Sequence, residues 1–486
     1  MKALISNNPM TKPDLVIIGG GIAGMTVALR ARELGLEVLI LEKGVGLYPC
    51  NTRYTGGAFH ICFHNIEDDP KTLQNAIIET TGGFADTELA EAVSTDAAAA
   101  VNWLRQQGIR TIKVGPDPWR QNFLSPPGLM RAGLHWQGRG GDFMLRTLRT
   151  RFEALGGQMR CGVRATRLYM EEGHIAGVHI ECDGVSDVVR AHRVVLCDGG
   201  FQANLGLMRE FVSPAPEKLK QRGAATGNGD GLQMALEVGA AIRGTNNIYG
   251  HIVSRQAMID DALWPYPILD YVCAAAIVVE PSGKRFMDEG LGGVYMVNRI
   301  AQLADPLSTT VIFDQAIWKG PATEFILPSN PYLPLAGGQV IAAATLEELA
   351  CNTGISSSGL IETVGKYNAA IDAKKTADLS PGRSSRKSRP WPIRQAPFYA
   401  VHLAAGVTYT MGGIATDAYG RVLRDDNQII DGLYASGCST GGLEGGDNAG
   451  YIGGLIKSLV MSRRVADAIA VDSKMMWSPK VVDATA

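Results

Sequence analysis

Residues 14–42 read DLVIIGGGIAGMTVALRARELGLEVLILE. An apolar run, Asp14 to Ile18, leads into Gly19-Gly20-Gly21-Ile22-Ala23-Gly24. A helical stretch follows, then a second apolar run from Glu37 to Leu41 that ends on Glu42. The glycines thus stand between a strand and a helix, with an acid closing the next strand, which is the setting a dinucleotide cradle needs. Gly19 permits the tight turn, Gly21 lets the backbone approach a pyrophosphate, and Gly24 lets helix and strand pack closely. The N-terminus of the helix faces the phosphate charge. Glu42 is placed to accept hydrogen bonds from a ribose diol.

The sequence beyond Glu42 separates the candidate cofactors. A nicotinamide-dinucleotide domain continues in alternating strands and helices, whereas here Glu42-Lys43 runs into a glycine-spotted loop, CNTRYTGGAFH (Cys50 to His60). Two later segments return to the same pattern. VVLCDGG (Val194 to Gly200) is an apolar strand ending in paired glycines, and DGLYASGCSTGG (Asp431 to Gly442) precedes a glycine-broken start to a last helix, Ile452 to Ala470. Three separated strands with glycine-rich ends suit one long cofactor lying across a Rossmann-like α/β domain, and favour FAD.

Composition agrees with a large globular protein. The chain has 486 residues, enough for two or three domains. Lys plus Arg is 46 against 48 for Asp plus Glu, a formal charge of −2 that argues against a nucleic-acid or acidic-membrane partner. Hydrophobic residues are 46 % and charged residues 19 %, unlike a disordered chain. Glycine stands out at 58 residues, well above the ~7 % of an average protein, as expected where backbone approaches backbone or ligand. The eight cysteines are scattered without a C-x-x-C pair, so buried free thiols in a reducing compartment are expected. MKALISNNPMTKPD lacks the features of a signal peptide, and no apolar stretch reaches the ~18–20 residues of a membrane span. The expectation is a cytoplasmic protein.

The sequence resembles the flavoprotein family of fumarate reductase and succinate dehydrogenase, nearest to soluble members such as 3-ketosteroid Δ1-dehydrogenase and tricarballylate dehydrogenase. Seven segments carry the resemblance in family order. They are VIIGGGIAG at Val16, NTRYTGGAF at Asn51, VVLCDGGF at Val194, TGNGDGLQMALEVGA at Thr226, GKRFMDEG at Gly283, TYTMGGIATD at Thr408 and GLYASGCSTGG at Gly432. The resemblance implies a discontinuous FAD-binding domain, 1–250 and 396–486, with an α+β capping domain, 251–395, inserted between. SPGRSSRKSRPWPIRQ (Ser380 to Gln395) reads as a solvated linker or cap edge. Carried over residue by residue, the FAD contacts are Gly19, Gly21, Ile22, Ala23, Gly24, Glu42, Lys43, Asn51, Thr52, Gly56, Gly57 and Ala165. Asp198, Gly199, Gly200, Asp230, Gly437, Cys438, Gly453 and Gly454 complete them. The histidine that tethers FAD in membrane-bound relatives is replaced by Cys50-Asn51, so non-covalent FAD is expected. The amides of the Gly450 to Gly454 lead-in are expected to favour a reduced, anionic flavin.

The family's dicarboxylate clamp is largely missing. His251, twelve residues after Gly239, has a counterpart there, but H-x-T-M-G-G reads Thr408-Tyr409-Thr410-Met411-Gly412-Gly413. No arginine occurs from Cys438 to Ser462, and Gly293 stands where the proton-donating arginine belongs, the next being Arg299. Since a buried carboxylate needs paired charge or several donors, fumarate and succinate are not expected as substrates. Tyr295, six residues after Glu289, lies near the position of the catalytic tyrosine in ketosteroid dehydrogenases. Tyr409, Asn448 and Tyr451 flank the flavin-facing loops, and WPYP (Trp264 to Pro267) is a candidate wall segment. Desaturation beside a carbonyl needs a base and a donor to the enolate oxygen, and a tyrosine can be that base if a neighbour lowers its pKa from ~10. The candidate catalytic residues are therefore Tyr295, Tyr409, His251, Asn448, Tyr451 and Arg299.

The expected function is FAD-dependent desaturation of a CH–CH bond next to a carbonyl or carboxyl, in a neutral or weakly polar, possibly cyclic, small-molecule substrate. Oxygen, a quinone or an electron-transfer protein would accept the electrons. The reverse reaction, reduction of an activated C=C bond, would need an external donor, because the chain has no C-x-x-C-H and no iron–sulfur cysteine set. An alternative of another class, a non-redox or RNA-modifying flavoprotein, lacks an aromatic-basic stripe. His60, His64 and His135 have no metal-ligand spacing, and no metal is expected.

Overall fold

The computed structural model describes residues 12–45, 50–128 and 131–477; the N-terminal segment read for a leader lies almost wholly outside the described residues. The opening motif forms the strand Leu15–Ile18, the helix Ile22–Glu33 and the strand Val38–Glu42. Both strands are buried on every residue, as expected for parallel strands covered on two faces.

They sit inside a six-stranded sheet ordered Arg421–Leu423, Ile429–Ala435, Arg193–Leu196, Leu15–Ile18, Val38–Glu42 and Gln158–Cys161. All neighbours are parallel except the first pair. The next strands, Val38–Glu42 and Gln158–Cys161, lie on one side of Leu15–Ile18, and Arg193–Leu196 and Ile429–Ala435 on the other, with Arg421–Leu423 at that edge. The crevice beside that strand is therefore the switch point where α/β sheets bind ligands, outside the carboxyl ends of the strands. Gly19, Lys43, Cys197 and Ser436 follow those ends directly. The last helix, Gly454–Trp477, packs on Ile22–Glu33 through Leu455, Ile456, Leu459 and Val460, which are buried among the first helix's residues.

A second sheet is organised around the long strand Phe398–Thr410. Ile248–Ser254 pairs antiparallel with its C-terminal half, while Thr310–Asp314 and Ile341–Ala343 pair with its N-terminal half. Ile248–Ser254 and Phe398–Thr410 thus run side by side between the nucleotide-type sheet and the segments 255–395.

The basic segment from Ser380 to Gln395, read as a solvated linker or cap edge, is exposed at Ser385 to Lys387, Arg389, Arg394 and Gln395 but is tied down between them. Arg383 is fully buried and donates to Ala274 O and to Ser384 O, and Ile393 is buried too. Asp314 accepts from the backbone N–H groups of Arg394 and Gln395, and Asp288 from that of Ser384. Glu289, with no exposure, takes Arg285 at 2.5 Å and lies 3.9 Å from Arg383. The segment is a strap whose buried arginine donates to backbone carbonyls with a carboxylate at ion-pair distance, its Nε being left without a hydrogen-bond acceptor among the described residues. Its Pro, Ser and Arg content carries no information about which side chains turn inward.

Candidate active site

The glycine turn has the geometry of a phosphate cradle. Gly19 has φ +102°, and a methyl group there would lie 2.5 Å from Cys197 O. A methyl on Gly24 would lie 1.9 Å from Gly19 O, so neither position tolerates a side chain. Gly21 meets only Thr52 Oγ1, at 3.4 Å, and Gly199 (φ +88°) meets nothing within 4 Å, which leaves open space beside the turn. Thr52 Oγ1 accepts from Ile22 N at 3.1 Å, tying the short helix Asn51–Tyr54 to the start of the first helix, where Ala23 is buried. Glu42 accepts from Gly20 N at 2.8 Å and Gly44 N at 2.7 Å.

The remaining expected cofactor residues gather along the same crevice. Lys43 and Arg164 each reach Asp230 at 2.7 Å, next to the buried Ala165. Burial pushes the Asp230 carboxyl up, but the two cations outweigh it and hold it below the usual range. Asp198 accepts from Gly231 N at 2.8 Å, and burial raises its carboxyl to about 6. Gly200 is backed by Thr410, and Gly437 (φ +78°) packs on Ala23. Burial lifts the Cys50 thiol to about 11, which leaves it protonated at neutral pH.

A cavity of about 760 Å³ continues from this crevice toward residues 255–395. Asn51, Thr52, Gly56, Gly57, Cys438 and Gly454 line its floor, and Gly453 precedes the last of these in the chain. These residues lie as far apart as 51 and 454 in the chain, yet close one space. A fused, flat cofactor ring fits a floor of glycines and small polar groups, so the residues present suit FAD.

Of the six expected catalytic residues, the cavity brings together His251, Tyr409, Asn448 and Tyr451. Tyr295 and Arg299 are not among its lining residues. Tyr295 is half-buried against the core, its phenol set among Asp288, Glu289 and Arg299, and Arg299 is exposed, bonded to Gln302 at 3.2 Å. Both belong to the helix Gly293–Ala301, of which only Gly293 and Val294 line the cavity.

Gly293 has a steric reason to be glycine. A methyl there would lie 1.9 Å from Asp270 Oδ2. That carboxylate faces His251 Nδ1 at 2.7 Å, while its other oxygen accepts from Ile252 N at 2.8 Å. His251 Nε2 in turn lies 3.0 Å from the hydroxyl of Tyr249. The acid fixes the proton on Nδ1, so Nε2 is an acceptor and the Tyr249 O–H donates to it. Tyr249 and His251 are two residues apart on the strand Ile248–Ser254, and therefore share a face.

The tyrosines are not activated by a lowered pKa. Burial drives the Tyr249 phenol well above 10; the Tyr451 and Tyr266 phenols beside it add to this electrostatically, and nearby Arg222 opposes it without prevailing. The Tyr451 ring stacks on that of Tyr249 at 3.9 Å. Burial raises Tyr451 and Tyr409 as well. The Tyr409 hydroxyl is already committed to Glu444, at 2.9 Å. That fully buried glutamate also takes Lys457 at 2.5 Å and the backbone N–H groups of Ile452 and Gly453. Tyr409 is thus part of the scaffold that fixes the glycine lead-in to the last helix. Asn448 lies at the rim, with Nδ2 against Gly82.

Arg222, Tyr249 and Asp270 escaped the sequence reading. Tyr249 carried a usable signal, the Y-x-H spacing on a strand. Arg222 precedes the GAATGNGDG turn but matches none of the family's substrate arginines. Asp270 reaches the site only through tertiary structure. The sequence reading of a site that lacks the family's cationic clamp did not foresee that Arg222 lines the interior, or that Arg386 and Lys387 of the strap line the cavity too.

Comparisons with known proteins agree with this architecture. The FAD binding domain family matches residues 14–451. A fumarate reductase (cytochrome) of Shewanella frigidimarina is 25 % identical over 96 % of this chain and 78 % of its own length. A 3-oxosteroid 1-dehydrogenase of Mycolicibacterium smegmatis is 26 % identical over 87 % of this chain and 91 % of its own. The crystal structure of a 3-ketosteroid-delta4-(5alpha)-dehydrogenase from Rhodococcus jostii superposes with a TM-score of 0.71 at 22 % identity, covering 96 % of this chain and 99 % of the other. Among the described residues, no helix is long and apolar enough to cross a membrane.

Proposed function

Because this chain belongs to the FAD binding domain family and is an FAD-dependent oxidoreductase acting on carbon–carbon bonds, we propose that it desaturates a CH–CH bond next to a carbonyl or carboxyl group. The observation that carries this reading is the Tyr249–His251–Asp270 chain, which faces the same cavity as the glycine floor. FAD, held non-covalently by the residues of the crevice, supplies hydride chemistry at carbon.

The protein's part is a proton route. A proton leaving the substrate carbon arrives at the Tyr249 oxygen as the phenol's own proton passes to His251 Nε2, and Asp270 stabilises the resulting imidazolium. Because burial holds Tyr249 in its phenol form, it works as a relay, and His251 is the base. Arg222 donates to the oxygen on which negative charge develops. Residues 251–395, which supply part of the cavity lining, would act as a cap over a bound cofactor. Tyr409 and Asn448 shape the walls, and Tyr451 orients Tyr249 by stacking.

The reverse direction, reduction of an activated C=C bond by electrons from a partner, uses the same route, with His251 protonated at the outset. Anaerobic mixing separates the two. Bleaching of the oxidised, FAD-loaded protein by a saturated carbonyl or carboxyl compound is expected. Recolouring of dithionite-reduced protein by an unsaturated compound, with no bleaching by its saturated partner, would instead favour reduction.

A further inference from the structure

Four arginines are buried among the described residues: Arg53, Arg222, Arg285 and Arg383. Three have a carboxylate within ion-pair distance. Arg53 lies 3.3 Å from Asp142, Arg285 2.5 Å from Glu289, and Arg383 3.9 Å from that same glutamate. Arg222, only 3 % exposed, has neutral partners instead. Its Nη1 donates to Thr408 Oγ1 at 2.9 Å and its Nη2 to Pro265 O at 2.6 Å, and its guanidinium lies over the Tyr266 ring at 5.6 Å. The Nε–H finds no acceptor among the described residues. A buried guanidinium without a counter-charge is costly, and an anion entering the cavity that Arg222 lines removes that cost.

The cavity's outer wall has a different character. Trp119 and Phe325 stand with ring planes 11° apart, and Tyr271 and Tyr266 pack beside Phe325. Phe325 holds φ at +89°, a conformation rare for a bulky residue and retained where a site needs it. Flat aromatic walls favour a planar ligand body. Outside, Arg386 lies 3.7 Å from Glu79, and Lys387 and Glu324 also line the mouth, so its charges offset one another and Arg222 is the buried cation that meets a ligand.

We propose that the ligand of this cavity is a planar, ring-bearing monocarboxylate whose carboxylate pairs with Arg222 while its ring lies against the Trp119–Phe325 wall. One buried cation takes one carboxylate, which sets this ligand apart from both a diacid and a neutral ketone. The proposal rests on the CH–CH reading for its chemistry, but not for its binding.

The test is titration of the FAD-loaded protein with three probes, cinnamate, benzalacetone and fumarate, followed by the change in the visible flavin spectrum. Cinnamate is expected to bind at least ~10-fold more tightly than either of the others. Arg222→Gln should weaken cinnamate ~10-fold or more and benzalacetone, which loses a hydrogen bond to a neutral oxygen and no ion pair, distinctly less, with Arg222→Lys in between for cinnamate. Full FAD content and an unchanged thermal midpoint qualify each variant. Benzalacetone or fumarate binding as tightly as cinnamate, cinnamate binding unchanged in Arg222→Gln, or no spectral response to any probe would overturn the proposal. If benzalacetone recolours the reduced flavin while cinnamate neither binds nor reacts, the anion site is refuted and the redox reading stands. If cinnamate binds through Arg222 but no probe recolours the reduced flavin, the redox reading loses support and the anion site stands.

Discussion

Replacing Asp270 with asparagine leaves the side chain nearly the same shape and reverses the proton logic of the site. Ile252 N, 2.8 Å away, can only donate, so the new amide oxygen must stay on that side. The amide NH2 then faces His251 Nδ1 across the 2.7 Å contact, and Nδ1 has to become the acceptor. Its proton moves to Nε2, which now points a hydrogen at Tyr249 and can no longer take the phenol's proton. The lost charge-assisted bond alone is worth about 1.5–3 kcal/mol. At 1.36 kcal/mol per decade that slows the reaction ~10- to 150-fold, and removal of a general base altogether costs ~10²–10⁴-fold. Asp270→Asn should therefore slow anaerobic flavin reduction by about 10²-fold or more. Stopped-flow absorbance on FAD-loaded protein measures it, with FAD content and thermal midpoint as controls. A variant that folds, holds FAD and reduces its flavin within about threefold of the parent would refute the relay.

Other substitutions probe neighbouring parts of the argument. Gly293→Ala puts a methyl 1.9 Å from Asp270 Oδ2, so it should cost about 1–3 kcal/mol of stability by urea unfolding and slow flavin reduction as Asp270→Asn does. Tyr295→Phe, at a residue that does not line the cavity, should leave flavin reduction within about twofold of the parent, and a large loss would return that tyrosine to the mechanism. His60 is almost fully buried, and burial lowers its imidazole to about 4 from 6.5. The unfolded chain takes up this proton first, so the associated stability is present above pH 6.5 and is lost as pH falls toward 4, by up to about 3 kcal/mol. His60→Gln should flatten that acid limb in a series of thermal midpoints, and an unchanged limb would exclude His60 as its source.

The two parts of the molecule differ in how much of them can be read from sequence. Binding a pyrophosphate beside a strand imposes local rules, so Gly19, Gly21 and Gly24 announce the cradle within six residues, and Glu42 confirms it one strand later. The returning strands at Val194 and Leu433 are legible for the same reason: each ends in glycines at the crevice. The substrate side obeys no local rule. Arg222, Tyr249, Asp270 and Lys387 come from separate segments and meet only because Phe398–Thr410 gathers its partner strands and the strap folds back over them. Family spacing pointed to Tyr295, but the helix beginning at Gly293 turns that residue away from the cavity. The loss of the family's arginines also suggested a neutral pocket, whereas a buried cation enters from the strand side at Arg222.

The account stands on one flavin lying in the crevice with its ring on the cavity floor. The most direct measurement is a crystal structure of the FAD-loaded protein. The pyrophosphate is predicted at Gly19–Gly24 and the isoalloxazine over Gly56–Gly57 and Gly454, with one face open toward Tyr249 and Arg222. A ring bound elsewhere, or one whose open face is walled off from Tyr249, would contradict it.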